Sequence, residues 1–337
     1  MRMLLAVVAV VILGPSTVSG HHSPAGFRLD SQVTIQGTVS RVGWRNPHVY
    51  IYIDTTDVAG EQREWMIETD PVPILTRNGW SVDSVAAGDV VTVRANPDRD
   101  AQRNHGLLVS IALEGGEVLT PRTSEVMVAS RASSVFGVWD AMRGFNQRVV
   151  ADRTSDGATA TEKDRAAQLA YALTANPTAD CVPYPTPFLA AIPYLNEIEL
   201  REDTISIRSE FFNVDRTVYM DGRGHPDNGA RTIQGHSIGR WEGDVLVVDT
   251  THFADHRIGN NPLLGIPQGI PSGAQKHVVE RYQLSEDGTR LLMDFLVEDP
   301  EYLAEPFTTT MEWDYAPALE LIRFGCDPES ARRFTFQ

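Results

Sequence analysis

The chain has 337 residues, 42% of them hydrophobic, with 29 Lys+Arg against 45 Asp+Glu and two cysteines. That apolar share is ample for packed cores, and the length is a prior for two domains. A formal charge of −16 repels phosphate backbones and argues against nucleic acid as a partner.

In chain order, residues 1–20 come first, with Arg2 as their one charge. An apolar run from Leu4 to Leu13 is broken by Gly14-Pro15, and small residues lead to Gly20. This is the three-part pattern of a secretory leader. A periplasmic or extracellular protein beginning at His21 is therefore expected. The run is shorter than the roughly 20 apolar residues that span a bilayer, so no stable membrane span is expected once the leader is cleaved. Loss of Arg2 takes the charge from −16 to −17.

Residues 21–122 read as a small β domain. Val33, Ile35 and Val39 alternate with polar residues, and Val49 to Ile53 is dense in β-branched and aromatic side chains. Trp65 to Ile67 follows the turn signal Ala59-Gly60. Pro73 to Asn78 fits a short helix ended by Gly79. Val90 to Val93 and Leu107 to Leu113 complete the set. Short strands of this number suggest a small barrel or sandwich, with an OB-like barrel as first choice.

Residues 123–195 are rich in Ser, Thr, Ala, Asp and Pro and read as a linker. It holds one helix candidate, Glu162 to Leu173 with Thr161 as N-cap, and a Pro-rich lead-in. Residues 196–337 then alternate cleanly, in largely hairpin order. Ile198 and Leu200 answer Ile205 and Ile207, and His236 to Trp241 turns at Glu242-Gly243-Asp244 into Val245 to Thr251. His277 to Leu284 turns into Thr289 to Glu298, and Phe307 to Tyr315 ends the series. A meander must hide its edges, so an antiparallel up-and-down barrel fits, with a twisted open sheet as the alternative. Phe253 to Lys276 reads as a long Gly/Pro-rich loop. Cys181 and Cys326 read first as a disulfide in an oxidising compartment; a metal site or two free thiols are the alternatives.

Several blocks carry a resemblance. HHSPAGF at 21–27, GTVSRVGWRNPHVYIYI at 37–53 and WMIE at 65–68 resemble secreted bacterial proteins of unknown function, the DUF6152 type. VYMDGRGHP at 218–226, GHSIGRWEGDVLVVDTTHF at 235–253 and VEDPEYLAEP at 297–306 resemble a second secreted bacterial module of unknown function. Together they imply export and two β domains, and bring no activity with them. Gly137-Val138-Trp139 is similar to the G-x-W that opens lipocalin-like barrels, a likeness confined to that triplet and the meander.

Three places could carry chemistry. A mature N-terminus at His21 offers an α-amine and two imidazoles, from His21 and His22. His48 could add a further nitrogen, a set suited to copper(II). In the C-terminal domain Tyr219, Arg223, His225, His236, Arg240, Trp241, His277, Arg281 and Glu298 form a polar set. Those residues could contact a small apolar molecule held in the barrel. Their His, Glu and Arg members could instead do the acid–base work of a hydrolase or isomerase. His252, His256, Glu280 and Asp299 extend the set. Ser237 sits in a G-x-S-x-G pattern, but the sequence leads from it into another strand rather than the helix a nucleophile elbow requires. The leading expectation is binding of an apolar ligand in the barrel, with copper binding and catalysis as alternatives.

Overall fold

The computed structural model describes residues 26–56, 60–122, 129–142, 161–170, 177–260 and 270–335. The expected leader, His21 and His22 lie outside them. In the first domain, strand β1 (Val33–Gly43) is long enough to serve two partners. Its first half pairs with β4 (Val90–Pro97) and its second half with β2 (Tyr50–Thr56). The switch happens where β1 bends, at a register shift between Val39 and Arg41. Gly37 makes the crossing possible: a Cβ there would lie 2.2 Å from the carbonyl oxygen of Asp54.

β2 continues to β3 (Gln62–Glu68), and β3 lies parallel to β5 (His105–Leu113), which returns to β4. The ring β1-β2-β3-β5-β4 is closed, and a short β6 (Val118–Leu119) adds to β5. Helix α1 (Val72–Arg77) sits between β3 and β4. This is the OB-like arrangement that the strand count suggested. Its core is built from Ile35, Val39, Ile51, Ile53, Ile67, Leu75 and Val93.

The second barrel runs through β7 (Gly137–Asp140), β8 (Leu195–Arg201), β9 (Thr204–Ser209), β10 (Val214–Tyr219), β11 (His236–Glu242), β12 (Val245–Thr251), β13 (His277–Leu284), β14 (Arg290–Glu298) and β15 (Phe307–Tyr315), which pairs back to β7. Each strand neighbours the next in sequence. Nine strands joined this way cannot all alternate in direction, so one pair must be parallel. That pair is β10 and β11, joined at Val218 and Ser237 by the excursion 220–235.

Two expectations are corrected here. The stretch 123–195 is not all linker: β7 belongs to the barrel, with Gly137 under the Tyr315 ring and Trp139 fully buried against it. The barrel also has nine strands with a parallel seam, where a lipocalin has eight in antiparallel order. Helix α2 (Glu162–Leu169) forms where expected, its Asp164 N–H donating to Thr161 Oγ1 at 3.2 Å.

The interior is filled. Trp139, Ile198, Ile205, Val218, Leu246, Val248, Val278, Tyr282, Met293, Phe295 and Trp313 pack inside. Residues 183–192 enter one end as a plug. Trp313 Nε1 donates to Ala190 O at 2.9 Å, and Lys276 Nζ donates to Thr186 O at 2.6 Å. The Thr186 hydroxyl donates to Glu280. Beside the plug, Arg216 pairs with Glu280 at 2.6 Å, both fully buried or nearly so. Beside the plug, between Thr186, Arg216, Tyr282 and Trp313, lies a cavity of about 20 Å³, room for about one water molecule.

Cys181 and Cys326 are disulfide-bonded. The barrels also meet directly. Arg77 forks onto Glu210 at 2.6 and 3.0 Å, and Asn46 donates to Phe324 O. Helix α3 (Pro328–Thr335) follows Asp327, whose carboxylate accepts from Arg45 at 3.2 Å.

Candidate functional site

Strand alternation sends His277, Val279 and Arg281 to the outside of the second barrel and Val278, Glu280 and Tyr282 to its core. On the neighbouring strand the outward register places Asp249 opposite Val279 and Ile238. On β14, Glu298 lies opposite His277. The excursion between β10 and β11 folds back over this face and supplies His225. Four strands and one loop thus bring their titratable groups together.

They form one continuous hydrogen-bonded row. Glu298 Oε2 lies 2.9 Å from His277 Nδ1, and His277 Nε2 lies 3.0 Å from Asp249 Oδ1. The same Asp249 oxygen lies 3.0 Å from His225 Nε2, and His225 Nδ1 lies 2.9 Å from His236 Nδ1. The Tyr219 ring stacks on His236 with centroids 5.2 Å apart. Arg223 lies over Tyr219 at 4.1 Å and forks onto Asp221. His252 closes the group, its ring centroid 6.1 Å from His225 and 6.2 Å from His236. Its backbone is left-handed, φ 59°, a conformation that costs a non-glycine residue on the order of 1 kcal/mol.

Donor counting fixes the protons. The two hydrogen-bonding imidazoles, His277 first, hold the Asp249 carboxyl below the usual carboxylate range. Asp249 is therefore ionised at neutral pH and can only accept, so both histidines present Nε2–H to it. His277 also donates Nδ1–H to Glu298 and is an imidazolium. The bond to Asp249, reinforced by Glu298 and working against burial, raises its pKa to about 9. Burial first, then the neighbouring His225, His252 and Arg223, lowers the pKa of His236 below that of an ordinary imidazole and favours its neutral form. When His225 is neutral, its Nδ1 carries the lone pair and His236 donates to it. His236 Nε2 is then the basic end of the row.

Of the residues singled out by sequence, Tyr219, Arg223, His225, His236, His277 and Glu298 come together. Arg240, Arg281 and Trp241 do not join them. They sit nearer the far end of the same strands, where both arginines bind Glu242 and Trp241 meets the edge of Phe136. None of the nine lines the small interior cavity. His256, Glu280 and Asp299 are buried elsewhere. Burial first, then Lys276, lowers the His256 pKa to about 3. Ser237 faces inward, 1% exposed, bonded to Thr250 Oγ1 at 2.9 Å, so the G-x-S-x-G pattern presents no nucleophile. The residue missed was Asp249. Counting outward from the Gly243 turn would have placed it opposite Ile238, as a charged residue on the same face as His236.

In the first barrel, His48 donates Nδ1–H to Thr69 O at 2.9 Å and lies 3.4 Å from Glu68. Glu68 is 3.5 Å from His105, which bonds Asp98 at 3.1 Å. The Phe27 ring lies against His105, centroids 4.9 Å apart. Among the described residues no group of three or more His, Cys, Asp or Glu is placed to hold a metal ion.

The class of protein these observations define is a two-barrel β protein with a histidine–carboxylate row on the outside of its larger barrel. Residues 9–108, which include β1 to β4 and the start of β5, match a family of unknown function, DUF6152. The second barrel and its site lie outside that match. No curated protein and no solved structure matches the chain. No helix among the described residues is long and apolar enough to cross a membrane.

Proposed function

We propose that the row Glu298–His277–Asp249–His225–His236 is an acid–base site, and that the protein is an exported enzyme moving protons on a small polar substrate at His236. The observation that supports this is the unbroken run of hydrogen bonds between five titratable groups on a partly exposed face. A structural ion pair needs two such groups. Here a neutral imidazole is oriented by an ionised carboxylate through a second imidazole, the arrangement a general base requires. Among the described residues no serine or cysteine nucleophile joins the row, so the chemistry we propose is water activation or proton abstraction next to a carbonyl. Export is supported by the disulfide and the leader-like first 20 residues. The apolar-ligand reading has less behind it, because the cavity beside the plug, next to Arg216 and Tyr282, holds only about 20 Å³.

The test is a screen of activated esters, lactones and racemisable hydroxy acids against the wild type and Asp249→Asn. The expected outcome is a turnover that Asp249→Asn and His236→Ala each lower by about 10²-fold or more. Equal turnover in wild type and Asp249→Asn would sink the reading.

A second reading, copper held by His21, His22 and His48, draws on one observation. Arg99 N–H donates to Gly26 O at 3.0 Å and Phe27 rests on His105, so the chain five residues after His22 is anchored beside the His48–Glu68–His105 row. Copper titration of the chain beginning at His21 tests it. Binding should weaken in His48→Ala, and affinity equal to that of a free His-His peptide would count against it.

A further inference from the structure

A groove opens where the loop after β1 meets the C-terminal segment. It is lined by Trp44, Arg45, Asn46, Val72 and residues 323–327, with a volume of about 320 Å³, at the lower bound of small-molecule sites. It is remote in sequence from the histidine row and shares no residue with it.

The floor is rigid. Asn46 is 3% exposed and spends both ends of its amide, donating to Phe324 O and accepting from Val72 N–H at 2.9 Å. Asn46 also forms a bridge with Cys326, which the disulfide fixes to Cys181. The groove is therefore preformed, and its occupant does not have to organise it.

The walls define a chemistry. Trp44 is half-buried against the first barrel's core and lines the groove. Arg45 is engaged by Asp327, while Arg323 is exposed and, among the described residues, takes part in no ion pair. Two guanidiniums against one carboxylate leave a local positive charge on a chain whose formal charge is −16. In a protein this acidic, polyanions are repelled at long range, so a compact monoanion fits best. A carboxylate suits the planar fork of Arg323, and a flat ring suits the face of Trp44. Above Gly325 there is open space: a Cβ would meet nothing within 4 Å.

We infer that this groove binds a carboxylate borne on a six-membered ring, with Arg323 taking the carboxylate and Trp44 the ring. An acidic sugar and an aromatic acid share that chemistry. OB-like barrels bind saccharides through the loop between their first two strands, which is where Trp44 lies.

The experiment is calorimetric titration of the full chain with D-glucuronate, benzoate and D-glucose. Saturable binding of either acid, no binding of glucose and a loss of about tenfold in Arg323→Gln support the inference. Which acid binds more tightly identifies the source. Arg323 is exposed, so that variant keeps the fold, and circular dichroism checks it. Binding of neither acid at millimolar concentration overturns the proposal. So does equal binding of glucose, or wild-type affinity in Arg323→Gln.

Discussion

His277 shows how a single side chain reports on its neighbours. It is held as an imidazolium by Asp249 and Glu298, so Asp249→Asn should drop its pKa from about 9 toward the ordinary value near 6.5. A proton-detected titration of the imidazole resonances would read this. A value unmoved by the substitution would mean the row is not assembled. The same shift links to stability. A raised folded-state pKa contributes stability fully below about 6.5, and that contribution is lost as the pH rises through 9. After allowance for its one-third exposure, the loss should be on the order of 2 kcal/mol, absent in His277→Gln. Denaturant melts at pH 6 and pH 9.5 would measure it. Inside the barrel the logic differs. Arg216 and Glu280 are buried together, and Glu280→Gln should cost about 3 kcal/mol or more, because a buried guanidinium would lose its only carboxylate partner among the described residues.

At the scale of elements, much was legible and some was not. Alternation along His277–Leu284 told which residues share a face, since a strand's period is two. It could not tell which face is inside, because Glu280 reads as a surface residue until Arg216 arrives from β10 to meet it. Sequence also grouped Arg240 with His236, although four residues of strand put them about 13 Å apart. Asp249 was overlooked because its importance comes from His277 on a neighbouring strand and His225 on a loop that converge on it, and no local pattern marks that. The β7 strand was hidden for a related reason. Four residues between masses of polar chain carry no periodicity, and only the G-x-W triplet hinted at them. One element makes a sharp prediction. Gly37→Ala should destabilise the first barrel by about 2 kcal/mol or more, because β1 must pass the Asp54 carbonyl where no Cβ fits. A thermal melt would show it.

Across the whole molecule, the two barrels are tied by Arg77–Glu210, by the Asn46 contacts and by the groove's rigid floor. Two domains were legible from length and composition; how they face each other was not, since Arg45–Asp327, Asn46–Phe324 and Arg77–Glu210 each join residues more than 100 positions apart. The disulfide spans 145 residues and should contribute on the order of 4–5 kcal/mol by restricting the unfolded chain. Reduction should lower the denaturant midpoint accordingly. That bond has a topological consequence. Strands β8 to β15 all lie between the two cysteines, so most of the second barrel is a closed covalent circuit, while β7 is threaded into the wall from outside it. A protease that cuts the exposed turn at Gly243 would open the circuit without separating it. The two pieces would migrate together until a reductant is added.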